Sequence, residues 1–123
     1  MCIRDRACAF VSALAVSGLE TGRFCFEGFL SMNRNKRRKH LDGLKNERRT
    51  MIFYEAPQKL PFTLKDLLET LGERKITLCA DLTKESEETI HTTLSRAVTE
   101  AEAIISYQSE YVLVIEGKTE KNE

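Results

Sequence analysis

Short apolar segments alternate with longer segments of helical spacing along this chain of 123 residues. The segment Met51–Tyr54 is apolar or aromatic throughout and too short for a helix, which predicts a strand buried on both faces. Tyr111–Ile115 has the same character and predicts a second buried strand. Between them, leucines recur at helical spacing from Gln58 to Leu71, and Gly72 predicts the end of that helix.

The rest of the pattern predicts further helices and strands in alternation. Asn33 is the predicted N-cap of a helix with few apolar positions, and Gly28 predicts a bulge or a close backbone approach in its strand. Such alternation is typical of an α/β fold, here predicted to contain a mixed sheet with helices on both faces. The further elements are helices at Ala7–Ser17, Lys36–Lys45 and Leu94–Ile105, and strands at Phe24–Leu30, Lys75–Leu82 and Thr89–Thr93, the last of them short or at an edge.

Composition indicates a folded protein with few special chemistries. Apolar residues make up 41% of the chain and charged residues 31%, which is typical of one globular domain with its own core. The four cysteines are dispersed and form no CxxC pair. We therefore expect them to pack as small hydrophobic side chains in a reducing compartment, with no metal site and no disulfide framework. No apolar run approaches the ~18 residues that span a bilayer, so we predict a cytoplasmic protein without a membrane partner.

The two ends of the chain are predicted to lie outside the domain. Residues 1–6 (MCIRDR) alternate in charge without an apolar period and resemble a translated sequencing adaptor, so we interpret them as non-native sequence. On this interpretation the chain is the tail of a longer protein. Residues 119–123 are polar and predict a solvated tail.

Basic residues are concentrated between Arg34 and Arg49, although the net charge of the whole chain is zero. Eight lysines and arginines occur there with only two acidic residues. One interpretation is a solvated helix face; the other, favoured by the density of charge and the shortage of nearby carboxylates, is phosphate binding. No aromatic residues are interleaved, so the run does not support base stacking. The predicted phosphate-binding residues are Arg34, Lys36, Arg37, Arg38, Lys39, Arg48 and Arg49.

The corner Tyr54–Pro57 is the second candidate site. Pro57 has no N–H to donate to a sheet ladder, so the strand should stop near it, and an open α/β sheet presents its ligands at such strand ends. Glu55 is either a capping or surface residue or part of this site. No nucleophile–base pair, Walker A loop, GxGxxG, GxSxG or HExxH motif is present. The corner therefore favours a ligand site built from backbone over acid–base catalysis.

Several segments occur together in an order that one enzyme family shares. The most specific are Phe26–Leu30 (FEGFL) and Phe53–Pro57 (FYEAP), followed by Leu82–Lys84 and Val112–Gly117. In this order they resemble the small-subunit ribosomal RNA (cytidine-2′-O-)-methyltransferases of the tetrapyrrole methylase superfamily. The resemblance covers about residues 7–118 and implies that they form the carboxyl-terminal domain of such an enzyme.

This resemblance implies an S-adenosylmethionine-dependent enzyme that methylates the ribose 2′-hydroxyl of a cytidine in ribosomal RNA of the small subunit. In this superfamily the cofactor lies between two α/β domains, and the amino-terminal one is absent here, so we expect the fragment to be inactive alone. The basic run would contact RNA phosphate, and analogy with the superfamily predicts a homodimer. The residues that the resemblance places on the cofactor side are Ala7, Cys8, Ala9, Tyr54, Glu55, Ala56 and Pro57.

The chain departs from the family pattern after the FYEAP corner, where Gln58-Lys59 stands in place of His-Arg, and after Leu30, where Ser31 stands in place of proline. No residue is assigned as the general base. Two alternatives stay open: a non-enzymatic RNA-binding module that uses only the basic helix, and a relative that methylates a tetrapyrrole. The dense cations favour RNA, because a tetrapyrrole carries fewer and more localised negative groups.

Overall fold

The computed structural model describes residues 11, 13–19, 22–81, 87–105 and 109–118. The described part of helix α1 comprises residues 11 and 13–16, within the predicted helix Ala7–Ser17. Most other predicted elements are confirmed to within a few residues. They are β1 (Phe24–Phe29), α2 (Arg34–Asp42), β2 (Thr50–Glu55), α3 (Leu60–Leu71), β3 (Lys75–Ala80), β4 (Glu88–Thr93), α4 (Leu94–Thr99), α5 (Ala101–Ile104) and β5 (Tyr111–Ile115).

The strands form one mixed sheet in the order β1-β2-β5-β3-β4. The pair β1–β2 is parallel, and the pairs β2–β5, β5–β3 and β3–β4 are antiparallel. Strands β1, β2 and β3 therefore point in the same direction. We call the edge at which these three strands end the carboxyl edge, and the edge at which they begin the amino edge. Helix α2 connects two parallel neighbours, so it runs from the carboxyl edge back to the amino edge.

Helices cover both faces of the sheet, which confirms the predicted α/β class. On one face, the leucines at helical spacing in α3 pack with residues of α2, α4 and the strands, and Leu60, Leu64 and Leu67 are fully buried. On the other face, Ala13 and Leu14 of α1 pack on a smaller cluster that includes Val114. Burying a leucine side chain contributes roughly 1.5–3 kcal/mol, so the larger cluster is the main source of stability.

The predicted helix caps are confirmed. The Asn33 side chain accepts a hydrogen bond from the backbone N–H of Lys36 at 3.1 Å, which satisfies one of the free donors in the first turn of α2. Gly72 ends α3 with a φ of +79°, a conformation that glycine adopts without strain. Helix α3 begins at Leu60, which places Pro61 in its first turn, where a proline is tolerated. A turn precedes the helix, in which the Ala56 carbonyl accepts from the N–H groups of Lys59 and Leu60.

The predicted single helix Leu94–Ile105 is wrong in one respect, because it is divided into α4 and α5 at Glu100. The Thr99 hydroxyl donates to the Ser95 carbonyl at 2.9 Å. A side chain that bonds back to the preceding turn in this way bends a helix. The backbone turns at Glu100, with φ −100° and ψ 12°, and α5 resumes after it.

Strand β1 contains the bulge that Gly28 predicted. Phe26 pairs with Ile52 and Gly28 pairs with Phe53, so Glu27 is an extra residue on β1. Gly28 has a φ of +70°, which a residue with a side chain adopts only with strain. The extra residue changes the face onto which the following side chains project, and this affects the candidate site.

Candidate functional site

The corner Tyr54–Pro57 lies at the carboxyl end of β2, as predicted. The Glu55 side chain is buried, with 6% of its residue surface exposed. One carboxylate oxygen accepts from the Thr63 hydroxyl at 2.7 Å, and the other accepts from the Ala56 N–H at 3.0 Å. Glu55 therefore fastens the first turn of α3 to the end of β2. Both oxygens are engaged inside the protein, so the carboxylate is part of the frame of the site.

A cleft of about 260 Å³ opens beside this corner, between the loop after β1 and the beginning of α3. We call it the carboxyl-edge cleft. Glu55 forms part of its wall. Arg37 of the basic run also lines it, but its other six lining residues, among them Met32, Lys59 and Phe62, were not predicted as site residues. The signal for Phe62 was an apolar residue outside the leucine spacing of α3. The complete lining is Leu30, Ser31, Met32, Arg37, Glu55, Lys59, Phe62 and Thr63.

The Tyr54 ring contacts two aromatic rings of β1. Its centroid lies 5.2 Å from that of Phe26 and 5.6 Å from that of Phe29, both in edge-to-face geometry. Residues three apart on a regular strand project to opposite faces, and the bulge at Glu27 is what brings both phenylalanines to Tyr54. Tyr54 packs against the cluster under α1, whereas Glu55 lines the cleft. The predicted cofactor residues Ala7, Cys8 and Ala9 lie outside the described residues.

Two residues of the basic run are paired with carboxylates of α3. Arg37 Nε donates to Asp66 Oδ2 at 2.6 Å, and Arg38 contacts both Asp66, at 3.5 Å, and Glu69. The shortage of carboxylates near the run therefore holds for the local sequence but not in space. Because α3 was predicted to bury its leucines, its acidic residues were expected to lie off the leucine face, but the sequence alone does not specify that α2 packs beside them.

Three other cations of α2, Arg34, Lys36 and Lys39, form no ion pair within the part of the chain that the structure describes. The first turn of α2 contains no acidic residue, although the N-terminus of a helix favours negative charge. Arg34 and Lys36 therefore stand where their charge is locally unfavourable, and an anionic partner would relieve this. His40 of α2 is half-buried, and its Nε2 lies 2.8 Å from Glu27 Oε1.

Arg48 and Arg49 precede β2 and so lie at the amino edge, away from Arg34 and Lys36 at the start of α2. Arg49 holds Glu47 in a bidentate pair, at 2.9 and 3.1 Å. This hydrogen bonding lowers the pKa of Glu47 to about 2. A shallow depression of about 420 Å³ lies here, and Arg23, which the sequence-based analysis missed, also lines it. The basic run is thus divided between two edges of the sheet.

Asp81 follows β3 at the carboxyl edge and is the described non-glycine residue with a positive φ, of 50°. Its carboxylate accepts from the Ser109 hydroxyl at 2.9 Å and from the Glu110 N–H at 3.0 Å. These bonds fix the end of β3 to the residues that precede β5. The segment Leu82–Lys84 of the resemblance lies outside the described residues.

Metal and membrane chemistry receive no support from the described residues, among which no three histidine, cysteine, aspartate or glutamate side chains could hold a metal ion together. None of the described helices is long and apolar enough to cross a membrane. Cys25 and Cys79 are buried free thiols, and burial raises the pKa of Cys79 to about 11. Both pack as small side chains, as expected for cysteines in apolar settings.

The strand order, the helices on both faces and the cleft at the carboxyl edge define an α/β domain of the kind that binds ligands at its strand ends. The sequence profile of the tetrapyrrole (corrin/porphyrin) methylases matches residues 7–116. The chain therefore belongs to this family.

Its curated relatives are named ribosomal RNA small subunit methyltransferase I. The protein of Halalkalibacterium halodurans is 45% identical over 116 residues, which cover 94% of this chain and 39% of the relative. That of Synechocystis sp. is 44% identical over 117 residues, covering 92% of this chain and 40% of the relative. The chain thus spans about two-fifths of the length of these relatives.

Solved structures of three methyltransferases have a similar fold. The methyltransferase CobJ superposes with a TM-score of 0.66 at 19% identity, covering 88% of this chain and 47% of that one. Cobalt precorrin-4 methyltransferase CbiF superposes with a TM-score of 0.60 at 12% identity, covering 88% of this chain and 48% of that one. A uroporphyrin-III C-methyltransferase from Thermus thermophilus, complexed with S-adenyl homocysteine, superposes with a TM-score of 0.50 at 20% identity. The match covers 81% of this chain and 44% of that one.

Proposed function

We propose that residues 7–118 are the carboxyl-terminal domain of a methyltransferase that transfers a methyl group from S-adenosylmethionine to the ribose 2′-hydroxyl of a cytidine in small-subunit ribosomal RNA. The observation that carries this proposal is the identity of 45% and 44% to proteins named ribosomal RNA small subunit methyltransferase I. The solved methyltransferases of similar fold are only 12–20% identical to this chain, so their names are weaker support for a substrate. A ribosomal substrate would place the protein in the cytoplasm.

The described residues fit one wall of a site for S-adenosylmethionine. At the corner Tyr54–Pro57, the Ala56 N–H donates to the Glu55 carboxylate, and the Ala56 carbonyl accepts from the N–H groups of Lys59 and Leu60. The corner can therefore supply shape and apolar contact to the cofactor without an unpaired charge. Ala7, Cys8 and Ala9 are proposed to complete this wall.

Methyl transfer depends on positioning more than on a covalent nucleophile. S-Adenosylmethionine supplies an electrophilic methyl group on a sulfonium. The part played by this chain is to hold one side of the cofactor and to bind RNA near it, at the carboxyl edge. The 2′-hydroxyl must lose a proton, and we assign no described residue to that step. An amino-terminal domain would form the opposite wall, so this chain alone should be inactive.

The proposed RNA contacts are the cations at the start of α2, where Arg34 and Lys36 lack ion pairs with described residues. The same proposal includes Arg37, Arg38, Lys39, Arg48 and Arg49, which the basic run predicted. Since Arg37, Arg38 and Arg49 already hold carboxylates, we expect smaller contributions from them. Association into a homodimer remains a prediction by analogy with the superfamily.

Isothermal titration of this chain with S-adenosylmethionine tests whether the chain holds only one wall of the cofactor site. We expect no tight binding, and stoichiometric tight binding would contradict the claim that half of the site is missing. The activity is tested on a longer protein that carries an amino-terminal domain ahead of residue 7. Transfer of a labelled methyl group to small ribosomal subunits supports the proposal, whereas transfer to a porphyrinogen or corrinoid instead would refute it.

A further inference from the structure

Two large apolar side chains lie exposed on the carboxyl-edge cleft. Phe62 of α3 is 67% exposed and Met32 of the loop after β1 is 76% exposed, and both line the same cleft. The apolar face of α3 is directed into the core, where Leu60 and Leu64 are fully buried. Phe62 lies outside that face, so core packing does not explain an aromatic residue at this position. An aromatic ring beside a flexible thioether offers a surface for a flat, polarisable ligand.

The charges around the cleft favour an anionic ligand. Lys59 lines the cleft and forms no ion pair with a described residue. The lining also contains Glu55, whose two carboxylate oxygens accept from Thr63 and Ala56, and Arg37, which is paired with Asp66. Arg34 and Lys36 add positive charge at the start of α2, next to the loop that carries Met32. The phosphates of RNA are negatively charged, so these cations favour a nucleotide within RNA as the ligand.

We propose that the carboxyl-edge cleft binds one nucleobase of the RNA substrate, stacked on Phe62 and flanked by Met32, with an adjacent phosphate on Lys59. Sequence-specific proteins commonly hold an unstacked RNA base on an aromatic side chain in this way. This inference rests on the proposed function and adds to it a base-binding subsite. It also revises the expectation that the basic run does not support base stacking. No aromatic residue is interleaved in the run, but Phe62 of α3 lines the same cleft as Arg37 of the run.

Binding of two single-stranded RNA oligonucleotides tests the subsite. One carries normal bases, the other is abasic at every internal position, and both have the same number of phosphates. Fluorescence anisotropy at low salt would measure their affinities for the 123-residue chain. We expect the base-bearing RNA to bind more tightly. Phe62→Ala should weaken its binding roughly 5- to 100-fold, the range expected for losing one base–aromatic stack, and leave the abasic RNA unaffected.

Two variants control for structure. Phe62→Trp keeps a stacking surface and should retain the affinity. Phe24→Ala removes another exposed phenylalanine, at the amino edge, and should change the affinity for neither oligonucleotide. Unchanged binding of base-bearing RNA by Phe62→Ala would refute the subsite. So would an equal loss of affinity for both oligonucleotides.

The same experiment distinguishes failure of this inference from failure of the proposed function. If the wild-type chain binds both oligonucleotides equally, the base subsite is wrong while RNA binding through phosphate stands. If the wild-type chain binds neither, both the subsite and the RNA-directed function of this domain are refuted.

Discussion

The amino and carboxyl edges of the sheet both carry cations, but they use them differently. At the amino edge, Arg74 is buried, with 3% of its surface exposed, and donates to the carbonyls of Glu116 and Lys45 at 3.1 and 3.2 Å. Arg49 holds Glu47, and Lys118 Nζ donates to Asn46 at 2.8 Å. At this edge the charges hold one part of the chain against another.

The carboxyl edge retains charge that the described residues do not neutralise. No ion pair with a described residue is formed by Lys59, Arg34 or Lys36. Exposed apolar side chains lie at the same edge. The basic run is therefore not one surface. Arg49 stabilises the amino edge by pairing with Glu47, and Arg37 is held by Asp66, whereas Arg34 and Lys36 at the carboxyl edge form no ion pair with described residues.

The largest effect that would test this comparison is expected at Gly117, which closes the amino edge. A Cβ at this position would lie 2.1 Å from the backbone oxygen of Arg48 and 2.6 Å from that of Arg49. Because backbone atoms cannot move aside as a side chain would, Gly117→Ala should destabilise the fold by about 3 kcal/mol or more. Urea denaturation measures this. The matched control is Gly43→Ala at the same edge, whose Cβ would lie 3.3 Å from the backbone oxygen of His40 and 3.8 Å from that of Lys39. Equal stability of the two variants would show that the edge is not closed.

The next largest effect is expected at Arg74. Arg74→Ala removes the two hydrogen bonds that the charged guanidinium donates, so two carbonyls lose their donor. This should lower the free energy of unfolding by about 2–3 kcal/mol. RNA affinity of the folded variant should not change. Arg23→Ala, an exposed cation at the same edge, is the control and should alter stability little. A stable Arg74→Ala variant with weakened RNA binding would contradict the structural role assigned to this edge.

A pair of double variants compares the edges directly as RNA-binding surfaces. Arg34→Ala with Lys36→Ala removes charge at the carboxyl edge, and Arg23→Ala with Arg48→Ala removes the same charge at the amino edge. If the first pair contacts two phosphates, the salt dependence of RNA binding should decrease by roughly 1 to 1.5 in log–log slope. The second pair should change that slope less. The reverse order would place the RNA at the amino edge.

The sequence predicted the elements well because they depend on local patterns. The Asn33 cap, the leucine spacing of α3, the all-apolar strand β5 and the bulge at Gly28 all follow from short-range rules. The division of the last helix at Glu100 was not predicted, because the apolar spacing continues across it and does not show that the Thr99 hydroxyl bonds back to the preceding turn.

The site was less predictable because its residues come from distant segments. Met32 and Phe62 are 30 positions apart and meet only because α2 and α3 pack side by side. The same packing brings Asp66 to Arg37, which no count of neighbouring charges reveals. Glu55 could be placed at a strand end from sequence, but its engagement by Thr63 depends on where α3 begins.

The smallest expected effect concerns the pH dependence of the amino edge. Hydrogen bonds from Arg49 hold the pKa of Glu47 at about 2, below its ordinary value of 4.5. A carboxyl whose pKa is lower in the folded state stabilises the fold above its unfolded pKa, and this contribution disappears as pH falls through the folded pKa. The stability difference between the wild type and Glu47→Gln should therefore be constant above pH about 5 and shrink between about 4.5 and 2. Urea denaturation of both proteins across this range measures the difference, and because all other carboxyls are common to the two, a difference that does not depend on pH would show that Arg49 does not hold Glu47 in solution.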